Sequence, residues 1–394
     1  MRYAAMDGLR GLFALWVVLV HAPFLSSIFH TPFVQYPAPM LTVFFVFSGF
    51  VVALMYGAGI QDGRGAARFL IKRLGRLWPL HMALLLYLLL FETARWLAVE
   101  YGGIDAAHEP FTEGTTVSAF VENVFFVQSW GWDKPMTWNF PAWTISTEIA
   151  AYLVLCAICL LVSSVGARIA LGLVCAVVAG VLYYFQADQW TRVGELASVP
   201  RAIMEFFMGF TVYFLSQRFP FKGFWLGSIL EVGAFAAAVT ISFLRLDGFW
   251  MLGTGLAFSI FGYALASEQG IISRYARAKP LVWLGEISYS IYLTHVPIIY
   301  TLGAVVALAA RYFGTEFWVT VDTMTGPREV MDLGGVYVMN AMLVGLVVVV
   351  IAASALTHRY IEQPARVWFA RLADARFGKQ PSPQPAPPRR GVVE

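Results

Sequence analysis

Arg10 and His21 stand eleven positions apart, with Asp7-Gly8-Leu9-Arg10-Gly11 running straight into an apolar stretch. At about 100° per residue, eleven positions make three helical turns. Both side chains then lie on one stripe, roughly 16 Å apart along the axis. Asp7, three residues before Arg10, joins the same stripe. An imidazole held there can take a proton from a hydroxyl or carry a covalent intermediate. Ionisable side chains inside lipid mark functional sites by default. Three more polar groups interrupt apolar runs: Ser48 in Phe44-Phe45-Val46-Phe47-Ser48-Gly49-Phe50, then Glu148 and His295. Counting rise per residue places His21 near the midplane and the other three in the middle to outer bilayer. Four helices are therefore expected to converge there, with Glu148 orienting the His21 ring as carboxylates do in triads. Each residue has a plainer reading. A lone mid-span histidine can bond a backbone carbonyl, Ser48-Gly49 can serve helix packing, and His295 can belong to the packing of Ser288-Tyr289-Ser290-Ile291-Tyr292.

The elements that must hold these groups are membrane spans. Of 394 residues, 59% are hydrophobic and 13% charged, against about 25% charged in soluble domains. The expected fold class is all-α, a polytopic transmembrane helical bundle of about ten spans. They are placed at 9–29, 38–58, 77–98, 143–164, 168–186, 199–216, 225–244, 249–267, 282–310 and 336–358. The first opens with an acid and a base and lacks a small-x-small cleavage site, so it is expected to anchor rather than to be removed. Basic residues crowd alternate loops: Arg64, Arg68, Lys72, Arg73 and Arg76, then Arg274, Arg277 and Lys279, then the segment after 358. The opposite loops hold only Lys134, Arg192, Arg245, Arg311 and Arg328. The positive-inside rule then places both termini in the cytoplasm. The net charge of +3 is modest, and no nucleic-acid partner is expected. Cys156, Cys159 and Cys175 all fall in apolar runs, which argues against a disulfide framework and against a metal site. Residues 380–394 are proline-rich and basic, and are expected to form a disordered tail.

Arg73 and Arg76 share a helix face. Guanidinium pairs grip phosphate bidentately, so together with Arg10 they form a candidate anion seat. Ordinary positive-inside anchoring explains the same spacing. Trp130, Trp132, Trp138, Phe140 and Trp143 end a long acidic outer loop. They suit an aromatic belt or, alternatively, stacking on a sugar ring.

These motifs, in this order, resemble acyltransferase family 3, the integral-membrane O-acyltransferases of bacterial envelopes. Arg10 through His21 is similar to that family's arginine, ten residues, histidine motif. Phe44 to Phe50 resembles its second-helix motif, and Arg73-Leu74-Gly75-Arg76 with Pro79 its Arg-x-x-Arg motif. Trp143-Thr144-Ile145-Ser146-Thr147-Glu148 resembles its Trp-Ser-Leu-Ser-x-Glu, and Asn139 also fits. Leu284 to Tyr289 with Tyr292-Leu293-x-His295-x-Pro297 resembles its late helix, and Glu362-Gln363-Pro364 its closing Glu-x-Pro. The chain departs from the pattern at His81, where tyrosine is common, at Phe140-Pro141-Ala142, and over 311–338.

The resemblance implies a transmembrane acyltransferase domain over 1–366 and a cytoplasmic tail over 367–394, in the bacterial inner membrane. It implies a cytoplasmic acyl-CoA donor, acetyl-CoA first among them, no metal, and a carbohydrate or glycolipid hydroxyl as acceptor. Arg73, Arg76 and Arg10 would hold the donor's phosphates. His21, Glu148 and Arg10 would carry the chemistry, by direct base catalysis or through an acyl-histidine. Ser48, Asn139, Trp143 and His295 would face substrate, and Asp7 and Glu362 would hold the motifs in place. The alternative is a proton-coupled exporter of a sugar or lipid using the same histidine and glutamate.

Overall fold

Helices account for nearly all of the regular structure in the computed structural model, which describes residues 3–35, 38–57, 59–103, 109–131, 136–186, 198–244, 250–323 and 326–378. In chain order they are α1 (Ala4–His21), α2 (Pro32–Gln35), α3 (Ala38–Tyr56), α4 (Gly63–Glu100), α5 (Val117–Phe125) and α6 (Trp143–Leu161). Then come α7 (Val165–Gln186), α8 (Ser198–Arg218), α9 (Phe224–Leu244), α10 (Trp250–Leu265), α11 (Ile271–Ala276) and α12 (Lys279–Glu286). The last are α13 (Ser288–Phe313), α14 (Val336–Thr357) and α15 (Gln363–Phe377). One hairpin, β1 (Trp318–Thr323) and β2 (Gly326–Met331), interrupts the helical order. The proposed tail 380–394 lies outside the described residues. The boundary expected at 366 falls inside α15, which continues from α14 through a π-helical turn, His358–Glu362.

Among the described residues, seven helical stretches are long and apolar enough to cross a membrane: α1, α4, α6 with the turn before it, α7, α9, α13 and α14 with its continuation. Large apolar side chains such as Val177 on α7, Ile229 on α9 and Val344 on α14 are exposed, as lipid-facing residues are. The ten expected segments each overlap a helix, with 282–310 running across the break between α12 and α13, but α3, α8 and α10 do not meet the same standard. The apolar parts of α3 and α10 are short. α8 carries Arg201 and Glu205, which pair at 3.2 Å inside the bundle while Thr42 of α3 bonds both. Two glycines permit the closest crossing. A Cβ on Gly49 of α3 would collide with the backbone of Phe206, and one on Gly209 of α8 with that of Val46. Where backbones come this near, small residues are required.

α4 is 38 residues long, about 57 Å at 1.5 Å per residue. That exceeds the roughly 30 Å hydrocarbon core, so the helix is longer than one crossing requires. The first helix departs from expectation. It ends at His21, not near residue 29. Ala22 precedes Pro23, and the proline ring pushes its neighbour out of the helical region; Ala22 sits at φ −60°, ψ 126°. His21 is therefore the last residue of α1 rather than a mid-helix group.

Past that point the chain is extended and clipped by the hairpin. Met331 N–H donates to Pro23 O at 2.6 Å, and Leu25 N–H donates to Met331 O at 3.0 Å. Arg328 of β2 donates to Ala22 O at 3.4 Å and lies 5.6 Å from the Phe29 ring. The segment 311–338, unassigned by sequence, thus fixes the end of α1.

Candidate functional site

A cavity of about 100 Å³ opens between α1, α3, α4, α6 and α13. Its polar lining is Arg10 from α1, Ser48 from α3, Arg73 and Arg76 from α4, Thr144, Glu148 and Tyr152 from α6, and Ser288, Tyr289 and Tyr292 from α13. Of the residues singled out by sequence, Arg10, Ser48, Arg73, Arg76 and Glu148 line this one space. Asp7 lies 3.9 Å from Arg10.

Arg73 is 5% exposed. Its guanidinium carbon lies 5.2 Å from the Tyr56 ring, 5.6 Å from Phe69 and 5.4 Å from Tyr152. Aromatic faces attract the cation but satisfy none of its N–H donors. Nε and Nη2 are buried without a hydrogen-bond partner. A buried charge with unmet donors is costly, and in a cavity wall it is what an anion would relieve.

Glu148 accepts hydrogen bonds from Ser48 Oγ and Tyr152 OH, the latter one helical turn away on α6. Tyr289 OH donates to the Leu77 carbonyl of α4. Gly49, beside Ser48, makes the α3–α8 crossing, so the pair splits its work between packing and cavity.

His21 is not in this wall. Its partner is not Glu148 but His295: His21 Nδ1 and His295 Nε2 are 3.0 Å apart, and the rings stack at 5.1 Å with 13° between planes. His295 Nδ1 faces the Ile291 carbonyl at 3.3 Å. A carbonyl only accepts, so His295 Nδ1 carries the hydrogen and its Nε2 is left to accept. His21 Nδ1 must then donate, which leaves the lone pair of neutral His21 on Nε2. The chain carbonyl, His295, His21 thus sets the tautomer of both neutral rings. Sequence depth brought Glu148 and His21 to similar levels but carried no information on which way each helix faces.

Tyr292 stands between the two regions. It lines the cavity, its ring is 6.2 Å from His295, and its hydroxyl donates to Pro141 O at 3.0 Å while accepting from Thr144 Oγ1. Phe140 meets the His21 ring edge-on at 4.9 Å. Asn139 holds that turn. Pro297 has no N–H, so the Leu293 carbonyl four residues earlier lacks its helical donor. Asn139 Nδ2 supplies one at 3.0 Å. Asn139 therefore positions rather than lines the cavity. Trp143 is buried against Phe45, Leu41 and Ala202; it does not line the cavity itself but backs Leu41 and Phe45, which do. Trp132 lies outside the described residues. Glu362 accepts from Ser290 Oγ at 2.8 Å and pairs with His358 at 2.9 Å, tying the π turn to α13.

The sequence reading did not single out Tyr152, Tyr289 and Tyr292. Tyr152 was findable as the residue four after Glu148, on the same face. The pairing of His21 with His295, 274 positions apart, had no local signal.

Fold and site define a multi-pass helical membrane protein with a guanidinium-lined cavity joined through Tyr292 to a histidine pair. Residues 3–368 match the family described as "Acyltransferase domain", and the chain belongs to it, acyltransferase family 3. The acyltransferase MdmB of Streptomyces mycarofaciens is 25% identical over 369 residues, covering 88% of this chain and 85% of its own. Protein 2 in the picA locus of Rhizobium radiobacter is 28% identical over 157 residues, 38% of this chain and 78% of its own. No solved structure matches the chain.

Proposed function

We propose that this membrane acyltransferase moves an acyl group, acetyl first among candidates, from cytoplasmic acyl-CoA to a hydroxyl of a carbohydrate or other envelope or secreted acceptor. The observation that carries this reading is Arg73: a caged guanidinium with two unmet donors in the wall of a cavity. A phosphate of coenzyme A supplies the missing acceptors, with Arg76 and Arg10 beside it. The pantetheine arm then extends inward past Ser48, Glu148 and Tyr292 and carries the thioester toward the histidines. His21 Nε2 takes the proton of the acceptor hydroxyl as its oxygen attacks the thioester carbonyl. The carbon–sulfur bond breaks, and the thiolate leaves with a proton returned from the imidazolium. An acyl-histidine route uses the same nitrogen as nucleophile. His295 steadies the charge that His21 gains, the part assigned from sequence to Glu148. Glu148 instead holds Ser48 and Tyr152 in the cavity wall.

The reading further places all ten helical segments in the bacterial inner membrane, with both termini and the arginine-rich face on the cytoplasmic side. The domain then runs through 366, with the tail beyond it in the cytoplasm.

Two measurements test it. Purified protein releases free thiol from acetyl-CoA, which an exporter does not do. Mass spectrometry of envelope glycans and secreted metabolites, with and without the gene, shows loss of an acyl substituent from the acceptor. Absence of thiol release with any acyl-CoA sinks the donor assignment.

A further inference from the structure

α15 lies along the first turns of α4, and three contacts set its register. Phe369 packs on Gly75 so closely that any side chain there would collide with it. One turn further, Asp374 bonds Arg68 at 2.8 Å and Lys72 at 2.7 Å. Arg366, three residues before Phe369, is on the face of α15 that meets α4. It comes within electrostatic range of both Arg76 and Arg73, and Arg76 within range of Arg10. Arg10, Arg73 and Arg76 line the cavity, and Arg366 adds a fourth guanidinium near the last two from α15.

The carboxylates are distributed unevenly. Asp374 neutralises Arg68 and Lys72. Among the described residues, none of Arg73, Arg76 and Arg366 forms an ion pair. The carboxylate in range of Arg366 is Glu362, which is already held by Ser290 and His358. Asp7 and Glu148 act on Arg10, and like charges at close quarters repel, so the remaining guanidiniums suit an anionic ligand. Arg73 and Arg76 line the cavity, whereas Arg366 is exposed outside it.

This inference rests on the acyl-CoA reading. Coenzyme A carries its anions in a fixed order: thioester, pantetheine, diphosphate, then the ribose 3′-phosphate. With the acyl end inside and the diphosphate against Arg73 and Arg76, the 3′-phosphate emerges on the outer side of the mouth. We propose that Arg366 recognises the 3′-phosphate of the donor, so that the C-terminal helix makes the enzyme select coenzyme A over its dephospho form.

The experiment measures binding of coenzyme A and dephospho-coenzyme A to the full-length protein in nanodiscs. A charge-assisted phosphate contact is worth about tenfold or more in affinity. Wild type is expected to prefer coenzyme A by about that factor. Arg366→Gln removes the preference by weakening coenzyme A while leaving dephospho-coenzyme A unchanged, and Arg366→Lys restores part of it. Arg73→Gln weakens both ligands. If Arg366→Gln weakens both equally, or neither, the 3′-phosphate assignment is overturned while the donor reading stands on Arg73. If Arg73→Gln also weakens neither, the donor reading falls with it. Unfolding temperature of each variant separates a lost contact from a lost fold.

Discussion

The arginine end and the histidine end of the site are built differently. Arg73 and Arg76 ride on α4, a single 38-residue helix, and Arg73 is enclosed by rings from three elements. The histidine end is assembled from chain that leaves regular helix. His21 closes α1, Phe140 sits in a 3₁₀ turn, and Ala22 to Leu25 is held by a hairpin. On the proposed function, the first is a socket for a constant donor, and the second, shaped by connections, is where acceptors of different form would be accommodated. On this division, changes at the arginine end alter how well the donor is held. Changes at the histidine end alter how fast it reacts.

The sharpest way to break the division is His21→Ala. Turnover should fall by about 10²–10⁴, the usual contribution of a general base, with binding of coenzyme A unchanged; a matching loss of binding would merge the two ends. Next is Arg73→Gln. The donor KM should rise about 10- to 100-fold, the worth of a charge-assisted bond, with kcat little changed, as steady-state kinetics will show. Combined with His21→Ala the losses should multiply, since the two residues share no partner. The smallest effect is expected at His295. His295→Leu removes the acceptor that His295 Nε2 offers His21 and leaves the ring only its backbone partner, Val17; turnover should drop about tenfold, the scale of one hydrogen bond to a group that becomes charged. His295→Gln can still accept that hydrogen and should recover most of the loss. Equal defects in both variants would make His295 a packing residue.

The socket was largely readable in the sequence. The spacing of Arg73 and Arg76 and the eleven positions from Arg10 to His21 are local facts of helical geometry. The apolar runs placed every helix that frames the site. What spacing omits is rotation about each helix axis. Glu148 and His21 were matched by depth, yet α6 turns its carboxylate toward Ser48 and Tyr152 while α13 brings His295 to His21. The end of α1 was legible in principle, because Ala22-Pro23 is a helix stop, but a long apolar run outweighed it. The hairpin also left a trace: Trp318-Val319-Thr320-Val321-Asp322-Thr323 alternates in strand fashion before Gly326. Its contact with Phe24 joins residues some 300 positions apart, and no local pattern encodes that.

The cage around Arg73 has one more consequence. Its charge is withdrawn from water before any ligand arrives, whereas Arg366 stands in solvent. Dissolved ions screen exposed charges and scarcely reach buried ones. If the two proposals hold, raising ionic strength should weaken the grip of Arg366 on the outer phosphate first, while the hold of Arg73 on the diphosphate persists in brine.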